Sequence, residues 1–210
     1  WHQADKYNVP RIAFVNKMDR AGADFYHVIK MIKERLSAHP VPIVLPIGNG
    51  DMFTGLIDLI KMEAILYTAD DGSSFEYSEI PSDMKEEANK WRMHLFEEVA
   101  SYDDKLMEKY LSDEPLLPAE IKDAVRKATL DGSMIPTVCG SAFKNKGVQR
   151  TLDAVIDFLP SPLDVGAVKG FDLITDTKEI TREPDDNEPF SALAFKIMTD
   201  PYVGRLTFFR

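Results

Sequence analysis

Two short apolar runs, each leading through a compact polar loop into an amphipathic helix, constrain the fold of this chain more than any other feature. Residues 11–15 (RIAFV) run into residues 16–19 (NKMD), and residues 135–139 (IPTVC) run into residues 140–143 (GSAF). Neither run alternates apolar with polar residues, which is typical of strands buried on both faces of a parallel sheet. The sequence therefore predicts an α/β fold with a polar loop at the end of each of these strands.

The helix that follows each loop has a clear apolar stripe. The first is predicted to begin after the N-cap Asp24 and to close at Pro40, and the second is predicted to end at Pro160. The inward-facing residues expected are Phe25, Val28, Ile29, Ile32 and Leu36 in the first helix, and Val148, Leu152, Val155, Ile156 and Leu159 in the second.

The stretch between the two motifs has a different pattern. Strand-like runs at 41–48 and 53–68 and a strong turn at 70–74 precede three helices, after Pro81, around 105–111 and over 118–130. We divide the chain into 1–37 and 133–160, which form the α/β domain, an α+β insertion at 38–132, a proline-punctuated linker at 161–188, and 189–210. The last segment is predicted to be a β-hairpin that opens an all-β domain.

Charge and cysteine content limit the possible partners and compartments. The formal net charge is −10, and residues 70–123 alone carry 16 acidic against 6 basic residues, a difference of −10. We expect no direct, sequence-specific nucleic-acid binding from such a segment. It is either a solvated helical face or a docking surface for a protein.

The single cysteine, Cys139, favours a reducing compartment, the cytoplasm. No apolar run is long enough to span a membrane, and the scattered histidines predict no metal site.

The residue types in the two loops match the edge of a guanine base. The Asp19 carboxylate could accept both adjacent N–H donors of the base, and the Asn16 amide matches O6 and N7. The Lys17 stem could lie along the base. From the second loop, Ser141 could orient Asp19, and the Ala142 N–H could meet O6.

Adenine offers neither the donors nor the acceptor that this arrangement needs, so it would leave buried groups unpaired. Met18 is expected only to pack, Lys144 and Lys146 to be solvated, and Cys139 to be a small core residue. The alternatives are a helix-capping turn for residues 16–19 and an ordinary tight turn for Ser141-Ala142.

Machinery for phosphates is not recognisable in the sequence. The 210 residues contain no G-x-x-x-x-G-K-[ST] motif, and the D-x-x-G from Asp19 to Gly22 overlaps the base-reading motif. We name no catalytic residue, no Mg²⁺ ligand and no residue that would position a water molecule.

Four stretches together resemble bacterial translation elongation factor G: PRIAFVNKMDRAGADF, GSAFKNKGVQ, DFLPSPLDV and FSALAFKIMTDPYVGRLTFFR. The resemblance implies a ribosomal translocase driven by GTP hydrolysis. The chain would be the second half of its P-loop-type GTP-binding domain, with the insertion subdomain and the first strands of the barrel domain that follows. It implies GTP or GDP as ligand, contacted at Asn16, Lys17, Met18, Asp19, Ser141, Ala142 and Phe143. Many relatives carry leucine where this chain has Phe143.

The resemblance also implies partners and a limit. The intact protein would bind the ribosome and, through the insertion, the acidic stalk protein of the large subunit, for which an acidic insertion must use a local non-acidic face. Mg²⁺ would be bound only by the intact protein, and we do not expect this chain alone to hydrolyse GTP. The alternatives are a protein-docking module built on the insertion, or a related translational GTPase: a mitochondrial elongation factor G, a release-factor GTPase or a ribosome-protection protein.

Overall fold

The computed structural model describes residues 1–102, 104–112, 114–171 and 179–210. The chain forms two compact units, 1–159 and 160–210, and each is described by itself. The helices of the first unit are α1 (His2–Lys6), α2 (Phe25–Leu36), α3 (Lys85–Ala100), α4 (Asp104–Leu111), α5 (Pro118–Leu130) and α6 (Val148–Phe158). Its strands are β1 (Ala13–Val15), β2 (Pro40–Pro42), β3 (Val44–Ile47), β4 (Gly55–Asp58), β5 (Glu63–Tyr67), β6 (Phe75–Ser78) and β7 (Ile135–Cys139). None of the described helices is both long and apolar enough to cross a membrane.

A three-stranded parallel sheet positions the two polar loops. Its order is β1-β7-β2, with Val15 opposite Cys139 and Pro40 opposite Ile135. The central strand β7 is buried along its whole length, as its continuous apolar run predicts. Because β1 and β7 are parallel neighbours in register, their carboxyl ends lie side by side. The loops that follow them are therefore adjacent in space although they are far apart in the sequence.

A four-stranded antiparallel sheet, in the order β3-β4-β5-β6, forms the centre of the insertion. Its inner residues, together with those of α3 and α5, belong to the same continuous core as the parallel sheet. The strand β2 lies within the segment that we assigned to the insertion, yet it pairs with β7 in the parallel sheet. The antiparallel sheet therefore begins at Val44, after the predicted start of the insertion at residue 38.

The helix α2 begins as predicted and ends earlier than predicted. The Asp24 carboxylate accepts a hydrogen bond from the His27 backbone N–H at 2.9 Å, which satisfies one of the unpaired amides of the first turn. The helix ends at Leu36, where Ser37 adopts a left-handed conformation with φ +48°. Pro40 is the first residue of β2, so the predicted closure at Pro40 was too late in the sequence.

The orientation predicted for α6 was wrong. Ala154 and Phe158 are its buried residues, whereas Leu152, Val155 and Ile156 are 59%, 42% and 78% exposed. The face that contains Ala154 and Phe158 packs against α5 and β7 because these are the elements beside it in this unit. The larger apolar stripe thus faces away from the core of this unit. Helical periodicity identifies such a stripe but does not show which face of the helix is buried.

The second unit contains α7 (Pro162–Val165) and the strands β8 (Val168–Phe171), β9 (Glu179–Arg182), β10 (Ala194–Asp200) and β11 (Gly204–Phe209). The antiparallel pair β10–β11 confirms the predicted hairpin. A second antiparallel pair, β8–β9, lies inside the segment that we predicted to be a linker, of which residues 172–178 lie outside the described part. The predicted fold class, a parallel sheet with flanking helices followed by antiparallel strands, is confirmed.

Candidate functional site

The first loop, residues 16–19, begins directly after β1 and is anchored through its backbone. Lys17 has a left-handed conformation with φ +65°, which turns the chain sharply and leaves the side chain exposed. Met18 is 1% exposed, its N–H donates to the Gly140 carbonyl at 3.0 Å, and its carbonyl accepts from the Gly50 N–H at 2.8 Å. Met18 therefore fixes the loop from below, while the side chains of Asn16, Lys17 and Asp19 lie nearer the surface.

The second loop, Gly140 to Gly147, is closed by paired backbone hydrogen bonds. The N–H of Ser141 donates to the Lys146 carbonyl at 2.8 Å, and the N–H of Lys146 donates to the Ser141 carbonyl at 3.0 Å. A Cβ on Gly140 would lie 2.2 Å from the Lys146 carbonyl oxygen. A Cβ on Gly147, whose φ is +87°, would lie 2.4 Å from the Cys139 carbonyl oxygen. Both positions therefore require glycine, a requirement that the sequence patterns did not indicate.

A direct hydrogen bond joins the two loops. The Asn16 side-chain oxygen accepts from the Ala142 backbone N–H at 3.0 Å and from its neighbour, the Lys17 N–H, at 2.8 Å. The Ala142 N–H, which we expected to meet O6 of a base, is thus used within the protein. A ligand at this edge would share or replace that bond, and the NH₂ group of the Asn16 amide can still donate to an acceptor.

The Asp19 carboxyl is held in its ionised form. A hydrogen bond from the Ser141 hydroxyl lowers the pKa of Asp19; partial burial opposes this, and the charges of Lys144 and Arg20 reinforce it. The Ser141 oxygen also accepts a hydrogen bond from the Lys144 N–H at 3.3 Å, so the hydroxyl is fixed at both ends. At neutral pH the carboxylate is a pure acceptor, the form required to receive two adjacent N–H donors.

The remaining predicted residues differ in their surroundings. Phe143 is 95% exposed and Ala142 is also exposed, so neither packs on the protein. Lys146, which we expected to be solvated, is only 7% exposed, because its backbone pairing with Ser141 draws it into the base of the loop. Cys139 is fully buried and its burial raises the pKa of the thiol, which confirms a small core residue beside the loop.

Residues of the insertion also reach the second loop, and no pattern in the sequence indicated them. The Tyr67 hydroxyl accepts from the Gly147 N–H at 2.6 Å and donates to the Gln149 side-chain oxygen at 3.2 Å. The next residue of α6 is Arg150, whose guanidinium forms an ion pair with the buried Asp58 carboxylate at 2.7 Å. These partners are 80 to 92 positions apart, beyond the range of any local pattern.

A resident metal ion has no evident ligand set among the residues that the structure describes. No three His, Cys, Asp or Glu side chains in this part of the chain are grouped closely enough to hold one. The chemistry that the two loops do offer is that of recognition: together they can bind a flat polar ligand with adjacent N–H donors and nearby acceptors.

Comparison with known proteins gives a family match and a similar solved structure. Residues 1–161 match the family model described as the elongation factor Tu GTP binding domain. The structure is also similar to the crystal structure of a protein from Thermus thermophilus, with a TM-score of 0.77 and 25% sequence identity. That match covers 100% of this chain and 28% of the Thermus chain, so the present sequence spans little more than a quarter of that protein's length.

Proposed function

The chain belongs to the family of elongation factor Tu GTP-binding domains, and from this premise we propose that it is the guanine-recognising part of a translational GTPase that drives ribosomal translocation of tRNA and mRNA. One observation carries the proposal. The parallel pairing of β1 with β7 places Asn16 and Asp19 beside Ser141 and Ala142, with the Asn16 oxygen 3.0 Å from the Ala142 nitrogen.

Recognition would divide between the two loops. Asp19 accepts the ring N–H and the 2-amino group of guanine, for which an ionised carboxylate is the matching acceptor. The NH₂ group of Asn16 and the Ala142 N–H donate to N7 and O6. The base then shares or replaces the hydrogen bond that the Ala142 N–H donates to the Asn16 side-chain oxygen. We assign the exposed Lys17 stem and Phe143 ring to the faces of the base, and Met18 supports the loop from the core.

Discrimination against adenine follows from the same contacts. Adenine has an amino group in place of O6 and lacks the pair of donors facing Asp19. Each buried group left without its partner costs about 1–3 kcal/mol, so two mismatches weaken binding by roughly 30-fold or more.

The phosphates and Mg²⁺ need groups that we do not find here. The 210 residues contain no phosphate-binding G-x-x-x-x-G-K-[ST] motif, and the described residues contain no cluster of metal ligands. We therefore assign GTP hydrolysis, Mg²⁺ binding and translocation to the whole protein, in the cytoplasm, and only base recognition to this chain. Base contacts alone must offset an association cost of about 4 kcal/mol or more, so this chain by itself should bind GDP no tighter than about millimolar.

The ribosome is the partner that we propose for the whole protein, with the insertion as its contact to the acidic stalk protein. Within the insertion, the acidic residues of α3, α4 and α5 favour a contact made elsewhere on its surface, since like charges repel.

A competition experiment with the full-length protein tests the proposal. A fluorescent GDP analogue is bound and displaced with GDP, GTP or ADP. We expect GDP and GTP to displace it at similar concentrations, and ADP to require at least about 30-fold more. Equal displacement by ADP would contradict guanine recognition. A GTP-dependent advance of mRNA on purified ribosomes then separates a translocase from the other translational GTPases.

A further inference from the structure

We infer that Tyr67, on strand β5 of the insertion, is a positioning residue for the second guanine loop, and that the insertion is therefore part of the frame of the nucleotide site. The inference rests on the proposed function, because it assigns Tyr67 a role in nucleotide affinity. It goes beyond that function by placing a determinant of the site on an element that contains none of the predicted base contacts.

The Tyr67 hydroxyl lies at the end of the second loop and uses both of its hydrogen-bonding capacities there. It accepts from the Gly147 N–H at 2.6 Å and donates to the Gln149 side-chain oxygen at 3.2 Å. Burial raises the pKa of the phenol, so it stays protonated and keeps its donor at neutral pH. The Gly147 backbone also packs closely against β7, because a Cβ there would lie 2.4 Å from the Cys139 carbonyl oxygen.

The turn between β5 and β6 makes a second contact with the same loop. A Cβ on Gly72 would lie 2.5 Å from the carbonyl oxygens of both Lys144 and Asn145, so the turn touches the loop backbone to backbone. The Gln149 amide also donates to the Gly72 carbonyl at 3.3 Å. Tyr67, Gln149 and Gly72 together form a bridge from the insertion to the segment that carries Ser141 and Ala142.

The first loop receives a different kind of support from the insertion. There the Gly50 N–H donates to the Met18 carbonyl at 2.8 Å, below a side chain that is already fully buried. The position of Met18 is thus secured by the core as well as by Gly50. At the end of the second loop the Gly147 N–H donates to the Tyr67 hydroxyl, so removing that hydroxyl leaves this backbone donor without the partner it has here.

The substitution Tyr67→Phe in the full-length protein removes only the hydroxyl, and Tyr77→Phe on the neighbouring strand is the matched control. Tyr77 is 58% exposed and carries the same group on the same sheet. We expect Tyr67→Phe to weaken GDP binding about tenfold, as the loss of a buried hydrogen bond predicts, and Tyr77→Phe to leave it unchanged within about twofold.

Inosine diphosphate keeps O6 but lacks the 2-amino group. It therefore distinguishes an effect on the second loop, which meets O6, from an effect on Asp19 in the first loop, which accepts the 2-amino group. If Tyr67 positions the loop that meets O6, Tyr67→Phe weakens GDP and inosine diphosphate by the same factor, and their ratio stays that of the parent. A merely structural role would lower the melting temperature without moving either dissociation constant.

Hydrogen exchange and a second variant, Gln149→Leu, test the same contact independently. Amide hydrogen exchange in the nucleotide-free protein should accelerate at Gly147 in Tyr67→Phe while β4 keeps its protection. The variant Gln149→Leu, which leaves the Tyr67–Gly147 bond in place, should weaken both nucleotides by about threefold, and its effect should shrink in the Tyr67→Phe background because the two groups share one bridge.

The outcomes are distinct. Dissociation constants of Tyr67→Phe within about twofold of the parent, or a changed ratio of GDP to inosine diphosphate, would overturn the inference and leave the proposed function standing. A parent protein that binds ADP as well as GDP would overturn the proposed function, and the inference would fall with it.

Discussion

The two loops at the carboxyl edge of the parallel sheet use different parts of the chain for what we propose is one task. In the first loop the side chains of Asn16 and Asp19 carry the chemistry, on a backbone anchored by the buried Met18. In the second loop the backbone carries much of it: Ser141 is fully buried, Ala142 offers its N–H, and glycines close both ends.

This difference predicts that the first loop determines which base is bound, whereas the second loop determines the backbone shape of the site. A side chain in the first loop can be exchanged for an isostere without moving the backbone, so such changes should alter which base is bound. The second loop tolerates few changes at its ends because carbonyl oxygens occupy the space that a Cβ would need. Changes there should alter stability and affinity together and leave the choice of base untouched.

The largest effect is expected from Gly147→Ala. Its φ of +87° disfavours any residue with a Cβ, and the added atom would lie 2.4 Å from the Cys139 carbonyl oxygen. The matched control is Gly132→Ala, where φ is +81° but nothing lies within 4 Å of the added atom. We expect the free energy of unfolding to fall by about 3–4 kcal/mol for Gly147→Ala and by about 1 kcal/mol for Gly132→Ala, as measured by denaturant titration. Equal losses would mean that the second loop can relax, and the contrast between the loops would disappear.

A somewhat smaller effect is expected where α6, which continues from the second loop, is tied to the insertion. The Arg150–Asp58 pair has side chains only 11% and 1% exposed, so Arg150→Met removes the ion-pair partner of a buried carboxylate and leaves it the Ile60 and Lys61 N–H donors and the charge of Arg92. We expect a loss of about 3 kcal/mol in the free energy of unfolding. The control Lys30→Met removes an exposed pair with Glu34 and should cost less than about 0.5 kcal/mol. If the two variants unfold at the same denaturant concentration, the ion pair between α6 and the insertion does not stabilise the fold.

The smallest effect is expected at Phe143, the aromatic side chain that the second loop exposes. Because it is 95% exposed, Phe143→Ala should change the free energy of unfolding by less than about 0.5 kcal/mol. Covering a base face would make the same change weaken GDP binding about threefold. Stability and affinity therefore separate at this position, unlike at Gly147. A marked loss of stability would show that Phe143 packs on the protein.

The parts of the fold predicted correctly are those fixed by local patterns. The N-cap of α2, the buried strand β7 and the hairpin β10–β11 follow from short-range rules about capping, burial and turns. The adjacency of the two loops could also be expected, because parallel strands place their carboxyl ends at one edge.

What was missed depends on contacts between distant segments. The apolar stripe of α6 was assigned to the wrong face because periodicity identifies a stripe without saying what lies against it. The pairing of β8 with β9 and the contacts of Tyr67 with Gly147 have no local signature. Burial of Lys146 follows from the closure of the second loop, which only the three-dimensional structure reveals.

Asp19 allows the most direct test of the central claim, that the first loop determines which base is bound. In the full-length protein, Asp19→Asn keeps the shape of the side chain but replaces one acceptor oxygen with a donor, which faces the 2-amino group of guanine unfavourably and matches the oxygen that xanthine has there. Competition binding of GTP and xanthosine triphosphate to the variant and the parent measures the change. We predict that GTP affinity falls by about 5- to 150-fold per lost bond, while xanthosine triphosphate binds more tightly than it does to the parent. If Asp19 only stabilises a turn, both nucleotides will weaken slightly and together, with a loss of about 1 kcal/mol in stability. An unchanged preference for guanine over xanthine would contradict the account.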